Sequence, residues 1–173
     1  MRELHFFTRK TLLLMLVVFC TSGLRAKGDS YVDATNKFAW SENSGWINFN
    51  PTNGGMRVVS AGSKWLSGYV WSENLGWIKL GNAQGGPYSN SETGTWGVNV
   101  VDSMLEGYAW SETSGWIKFN PLTAGGALNW SDGHLEGYAW SENVGWIHFQ
   151  NATPSYAVLT IPEPSKATVI VIR

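Results

Sequence analysis

The sequence predicts an all-β fold, with four three-stranded antiparallel repeats in a propeller-like closed ring; an open stacked β-repeat array is the alternative. Three observations carry this expectation. A twelve-residue stretch occurs four times, β-rich runs and turn residues lie ahead of its later copies, and the two ends of the repeat region complement each other.

The recurring stretch is clearest at residues 38–49, Phe-Ala-Trp-Ser-Glu-Asn-Ser-Gly-Trp-Ile-Asn-Phe, which aligns without gaps with segments beginning at Tyr69, Tyr108 and Tyr138. The first tryptophans of the copies, Trp40, Trp71, Trp110 and Trp140, are spaced by 31, 39 and 30 residues. Such self-similarity marks units that bury apolar surface against their neighbours. Within each copy the Ser-Glu-Asn/Thr-x-Gly segment reads as a tight hairpin loop. Gly45, Gly76, Gly115 and Gly145 would supply the positive φ of a bulged or three-residue turn.

Ahead of the last three copies lies a second recurring stretch, at residues 65–68, 104–107 and 134–137, each ending in glycine. Ahead of that come β-rich runs at residues 56–60, 96–101 and 127–131, closed by turn residues such as Asp102-Ser103 and Asp132-Gly133. Each unit is therefore a three-stranded meander. The longer interval is taken up by residues 81–95, a Gly-, Asn- and Ser-rich stretch that reads as a long loop.

Alternation assigns the faces. Leu105, Gly107 and Ala109 share one side of the middle strand, and Ile117 and Phe119 match them on the third strand. Both tryptophans of each unit then lie on the opposite side, and Asn48, Lys79, Lys118 and His148 occupy a variable, solvated slot. With large apolar groups on both faces, the expectation is of sheets stacked against neighbours. At the ends, residues 31–36 are a cramped substitute for a full first strand, whereas residues 155–161 form a strand with no partner hairpin. Ring closure by the last strand follows, because it hides a sheet edge.

The chain has 173 residues, with 12 Lys and Arg against 13 Asp and Glu, and lacks the basic footprint of a nucleic-acid binder. Residues 1–26 read as a signal peptide: Arg2, Arg9 and Lys10 precede a short apolar run from Leu12 to Phe19, and Ser22, Gly23 and Ala26 offer small cleavage positions. The expected organisation is this signal, a β domain over 31–161 and a tail over 162–173. Secretion to the extracellular space or cell surface follows, with no stable membrane span in the mature chain. Cys20, the only cysteine, would leave with the signal, so neither a disulfide nor a cysteine metal site is expected. Eight cations would remain against twelve acids.

The chemistry-bearing residues are sparse. His134 and His148 read as exposed loop and strand residues. Glu42, Glu73, Glu112 and Glu142 invite a two-carboxylate hydrolase, but they are equivalent copies, and catalysis uses carboxylates in unlike environments. A loop role, with Glu and the preceding Ser accepting backbone N–H groups, is the reading adopted. Asp102 and Asp132 lack calcium-loop spacing. No catalytic residue, metal site or cofactor is therefore expected. The candidate ligand-binding residues are Trp40, Trp46, Trp71, Trp77, Trp110, Trp116, Trp140 and Trp146, adjacent pairs on which sugar rings could stack. Packing between sheets is the competing role for the same side chains, and the one preferred on burial grounds.

The Gly-Tyr-Ala-Trp-Ser-Glu-Asn-x-Gly-Trp-Ile pattern resembles that of secreted, tryptophan-rich repeat proteins of Gram-negative environmental bacteria, over about residues 31 to 161. The tail Ile161-Pro162-Glu163-Pro164-Ser165 resembles the start of the PEP-CTERM sorting signal, although the run from Ala167 to Ile172 is too short to span a membrane. The resemblance implies a non-enzymatic binding or scaffold module of the cell envelope or extracellular matrix, with glycans or cell-surface components as partners. A lectin-like carbohydrate-binding domain is the first alternative and a hydrolase the second.

Overall fold

The computed structural model describes residues 29–121, 125–129 and 131–163. The expected signal peptide, and the tail beyond Glu163, lie outside the described residues. Within them the protein is all-β and antiparallel.

Fourteen strands are formed among the described residues. They are β1 (Ser30–Ser41), β2 (Gly45–Asn48), β3 (Gly55–Ala61), β4 (Ser63–Ser72), β5 (Gly76–Lys79), β6 (Val98–Val101), β7 (Met104–Ser111), β8 (Gly115–Lys118), β9 (Ala127–Leu128), β10 (Leu135–Glu136), β11 (Tyr138–Ser141), β12 (Gly145–His148), β13 (Gln150–Ala152) and β14 (Ser155–Pro162). The repeated motif builds the hairpins β1/β2, β4/β5, β7/β8 and β11/β12 in identical register, with Trp40 opposite Trp46, Trp71 opposite Trp77, Trp110 opposite Trp116 and Trp140 opposite Trp146. The turn glycines Gly45, Gly76, Gly115 and Gly145 have φ of 73, 67, 71 and 74°, as the hairpin reading requires.

The hairpins are joined edge to edge. β2 pairs with β4, β5 with β7, β8 with β11, and β12 returns to β1 through Trp40–His148 and Ser41–Ile147. A second circuit runs beside the first. β1 pairs with β3, and the pairing continues through β4, β6, β7, β9 and β10. An isolated bridge from His134 to Leu159 then leads to β14, which pairs with β1 again. The hydrogen bonds thus form a ring within one sheet. Separate propeller-like blades are not what these pairings describe. Each four-residue third strand would leave a row of unpaired backbone groups on its outer side, and the next unit's middle strand satisfies them.

The last strand fills the missing place. Val158 lies opposite Lys37, and its N–H donates to the Phe49-equivalent carbonyl of Phe149 at 3.1 Å. Met56 and Val98 make the corresponding bonds to Phe49 and Leu80. Residues 31–36 belong to the middle strand of the first unit, where the register slips between Val32 and Lys37. There the Asp33 carboxylate accepts the N–H groups of Thr35 and Asn36 and is held below the usual carboxylate range by them.

The core follows the alternation. Ala39, Val70, Ala109 and Ala139 are buried with Ile47, Ile78, Ile117 and Ile147 and with Phe49, Leu80, Phe119 and Phe149, one set of three per unit. Phe149 lies 6.0 Å from Phe49 and 5.6 Å from Phe119, so the aromatic members meet in the middle. The strands switch from one circuit to the other at Gly68, Gly107 and Gly137, whose φ values are 95, 106 and 72°. A Cβ on Gly68 or Gly107 would sit 2.1 Å from the facing carbonyl oxygen of Gly55 or Gly97, so both positions require glycine twice over. The long loop is anchored by Tyr88, which is buried and donates its hydroxyl to the Leu66 carbonyl at 3.2 Å.

Candidate functional site

With the interior filled by Ala, Ile and Phe, the tryptophans have one direction left. They lie on the outer face. The second tryptophan of each pair is widely open to solvent: Trp46 is 45% exposed, Trp77 41%, Trp116 40% and Trp146 44%. Trp40, Trp71, Trp110 and Trp140 are half-buried beside them. The preferred expectation of packing between stacked sheets is therefore corrected, because no second sheet covers this face among the described residues.

The paired tryptophans, read as adjacent surfaces on which sugar rings could stack, are not coplanar. Trp40 and Trp46 have centroids 4.7 Å apart at 67°, Trp71 and Trp77 5.0 Å at 66°, and Trp110 and Trp116 4.7 Å at 66°. These are edge-to-face contacts, the arrangement favoured by the ring quadrupole. In these three units one indole buttresses the other, and one broad aromatic face is presented instead of two. The flanking ring adds a third edge: Phe38 lies 6.0 Å from Trp46, Tyr69 6.3 Å from Trp77, Tyr108 6.0 Å from Trp116 and Tyr138 5.7 Å from Trp146.

The loop residues behave differently from one another. Glu42, Glu73, Glu112 and Glu142 are exposed, and the Glu73 carboxylate accepts the Trp71 Nε1–H at 3.4 Å. Among the described residues none of these four glutamates accepts the backbone N–H expected of it. The serines do accept from their own loops, Ser111 Oγ taking the N–H groups of Thr113 at 3.2 Å and Ser114 at 3.3 Å. Sequence reasoning missed a role for asparagine. Asn74 Nδ2 donates to the Ser44 carbonyl, Asn143 Nδ2 to the Ser114 carbonyl and Asn43 Nδ2 to the Val144 carbonyl, each at 3.0 Å. Every one of these bonds crosses to a neighbouring unit. The recurrence of Asn after Ser-Glu was visible, but its partner 30 or 101 residues away was not.

His148 departs from its expected solvated role. Its ring stacks on Tyr138 at 4.3 Å and 9°, and its Nδ1 is 3.1 Å from the Tyr156 hydroxyl. Burial holds its pKa below the usual histidine range. His134 instead sits 3.3 Å from the Asp132 carboxylate on a turn. Among the described residues no group of three or more His, Cys, Asp or Glu is placed to hold a metal ion, and no helix is long and apolar enough to cross a membrane.

Among the described residues, concavities open on the tryptophan face, three of them lined by its aromatic rings. One of about 510 Å³ lies where the last unit meets the first, lined by Trp40, Trp46, Tyr138, Trp146, His148 and Tyr156 with Glu42 at its rim. A second of about 360 Å³ adjoins it across Trp46 and Tyr156. The third, about 410 Å³, lies between the long loop and Trp96, Tyr108 and Trp116. No family model, curated protein or solved structure matches this chain.

Proposed function

We propose that the protein is a secreted, non-enzymatic binding module of the cell envelope or extracellular matrix that holds glycans on its outward indole faces. The observation carrying this reading is the fourfold recurrence of a solvent-facing indole, Trp46, Trp77, Trp116 or Trp146, the first three supported edge-on by a half-buried partner. Leaving a large apolar ring in water has a hydration cost, and a sugar's C–H face removes it while the hydroxyls stay available to a polar fringe. That fringe is present. Asn48, Lys79, Lys118 and His148 lie next to the indoles on the third strands, and Glu42, Glu73, Glu112 and Glu142 lie at the loop tips. The finer architecture belongs to the same proposal: four like units in a closed ring, secreted by way of residues 1–26, in the manner of the tryptophan-rich repeat proteins that the motif resembles.

A glycan array tests the reading. The parent protein is expected to retain a restricted set of glycans, and a variant carrying Trp46→Ala, Trp77→Ala, Trp116→Ala and Trp146→Ala to lose them while keeping its β circular dichroism. An array on which the parent binds nothing, or on which the variant binds equally well, removes the proposal.

A further inference from the structure

The junctions between units are built alike, and this makes one a guide to another. Where the second unit meets the third, Lys79 lies opposite Trp110, which leans on Trp116, which meets Trp96 at 5.4 Å and 79°. Where the last unit meets the first, His148 lies opposite Trp40, which leans on Trp46, which meets Tyr156 at 5.2 Å and 86°. Trp96 and Tyr156 hold the same place, each two residues before the strand position that bonds back to the preceding unit, Val98 or Val158.

The first of these junctions contains an ammonium group. Lys79 Nζ is 5.9 Å from the Tyr69 ring centroid and 5.8 Å from that of Trp96, within reach of a cation–π attraction to both. At the second junction the corresponding rings, Tyr138 and Tyr156, have His148 between them instead, 4.3 and 6.0 Å away. Because burial disfavours the charged imidazole, His148 brings no cation to this site near neutrality. The Glu42 carboxylate is close enough to disfavour ionisation of Tyr156, after the larger effects of burial and of Tyr138. The concavity of about 510 Å³ therefore combines rings at right angles, Trp46 and His148 against Tyr156, with the parallel Tyr138–His148 stack, a carboxylate, and no lysine among its lining residues.

We propose that this seam is a binding site for an organic quaternary ammonium of the choline type, seated in the concavity beside the His148 ring, where the second junction has no ammonium of its own. Walls at right angles suit a roughly spherical, weakly hydrated cation that touches several ring faces together. A sugar ring needs one broad face, which the single outward indoles already provide. The inference goes beyond glycan binding and stands without it.

Choline chloride titrated into the full chain, with tryptophan fluorescence as the readout and sodium chloride matching ionic strength, tests the site. A saturable change is expected in the millimolar range, and the uncharged isostere 3,3-dimethylbutan-1-ol is expected to bind at least about tenfold more weakly. His148→Lys is the decisive variant. It installs the residue found in the same slot of the second and third units, and by filling the site with the chain's own ammonium it should weaken choline at least about tenfold. Glu42→Gln should weaken it about threefold or more by removing the rim charge. Tyr156→Phe should bind like the parent, and Tyr156→Ala should not. The proposal is overturned by no saturable change up to about 100 mM, where a millimolar site is full, by equal affinity for the isostere, or by unchanged affinity in both His148→Lys and Glu42→Gln. Displacement of choline by a neutral sugar would give the seam to glycans instead, which also overturns it.

Discussion

Asn43, Asn74 and Asn143 show how one side chain holds two units together, because each amide ties its own hairpin loop to the carbonyl of the loop before it. Asn74→Ala leaves the Ser44 carbonyl without this donor and should lower stability by about 1 kcal/mol in urea unfolding. The third unit has Thr113 at this position, and there only Ser111 Oγ reaches the preceding Leu75 carbonyl, at 3.0 Å. Thr113→Asn should therefore restore the missing amide bond and add about 0.5 to 1 kcal/mol. An unchanged or lower unfolding midpoint would mean that the crossing bond carries no weight. His148 supplies a pH effect of definite sign. Its folded pKa is depressed, so the unfolded chain binds the proton more readily, and stability should fall as pH drops below about 6.5. In His148→Asn, which copies the Asn48 slot of the first unit, that part of the acid sensitivity should vanish from melts run between pH 5 and 8.

At the scale of the element, the two glycines of each of the last three units do different work. The hairpin glycine was legible from its place after Ser-Glu-Asn-x, because a short turn demands a positive φ. The glycine that ends each Leu-Ser/Glu-Gly stretch was visible as a recurrence, but the reason for it, a facing carbonyl at a crossing between two circuits, exists only in the assembled sheet. Gly115→Ala makes only an ordinary van der Waals contact, with Trp110 at 3.8 Å, and should cost about 1 to 2 kcal/mol for its φ alone. Gly107→Ala must also push a Cβ into the Gly97 carbonyl and should cost roughly 3 kcal/mol or more. Equal melting temperatures for the two variants would contradict the crossing. Strand β14 gives a larger test. Deleting residues 154–173 removes the partner of β1 from Tyr31 to Lys37 and should yield a less stable, aggregating protein by size-exclusion chromatography.

For the whole molecule, the meander, the faces and closure by the last strand could be read from the chain, since period-2 alternation and unmatched ends leave few other solutions. The merging of units into one sheet could not, because strand edges find partners that no local pattern names. Nor could the outward setting of the tryptophans. Parity placed them on one face, yet only the volume taken up by Ala139, Ile147 and Phe149 and their equivalents shows that the opposite face is the full one. Four outward indoles around one body also predict avidity: a surface coated densely with a bound glycan should hold the protein far more tightly than the free sugar does. The most direct measurement follows the tryptophan Nε1–H signals by two-dimensional NMR during titration with a glycan retained on the array. The account predicts that Trp46, Trp77, Trp116 and Trp146 shift together and saturate while Trp65, which lies outside the repeated pairs, stays in place. Saturable binding that leaves those four signals unmoved would contradict it.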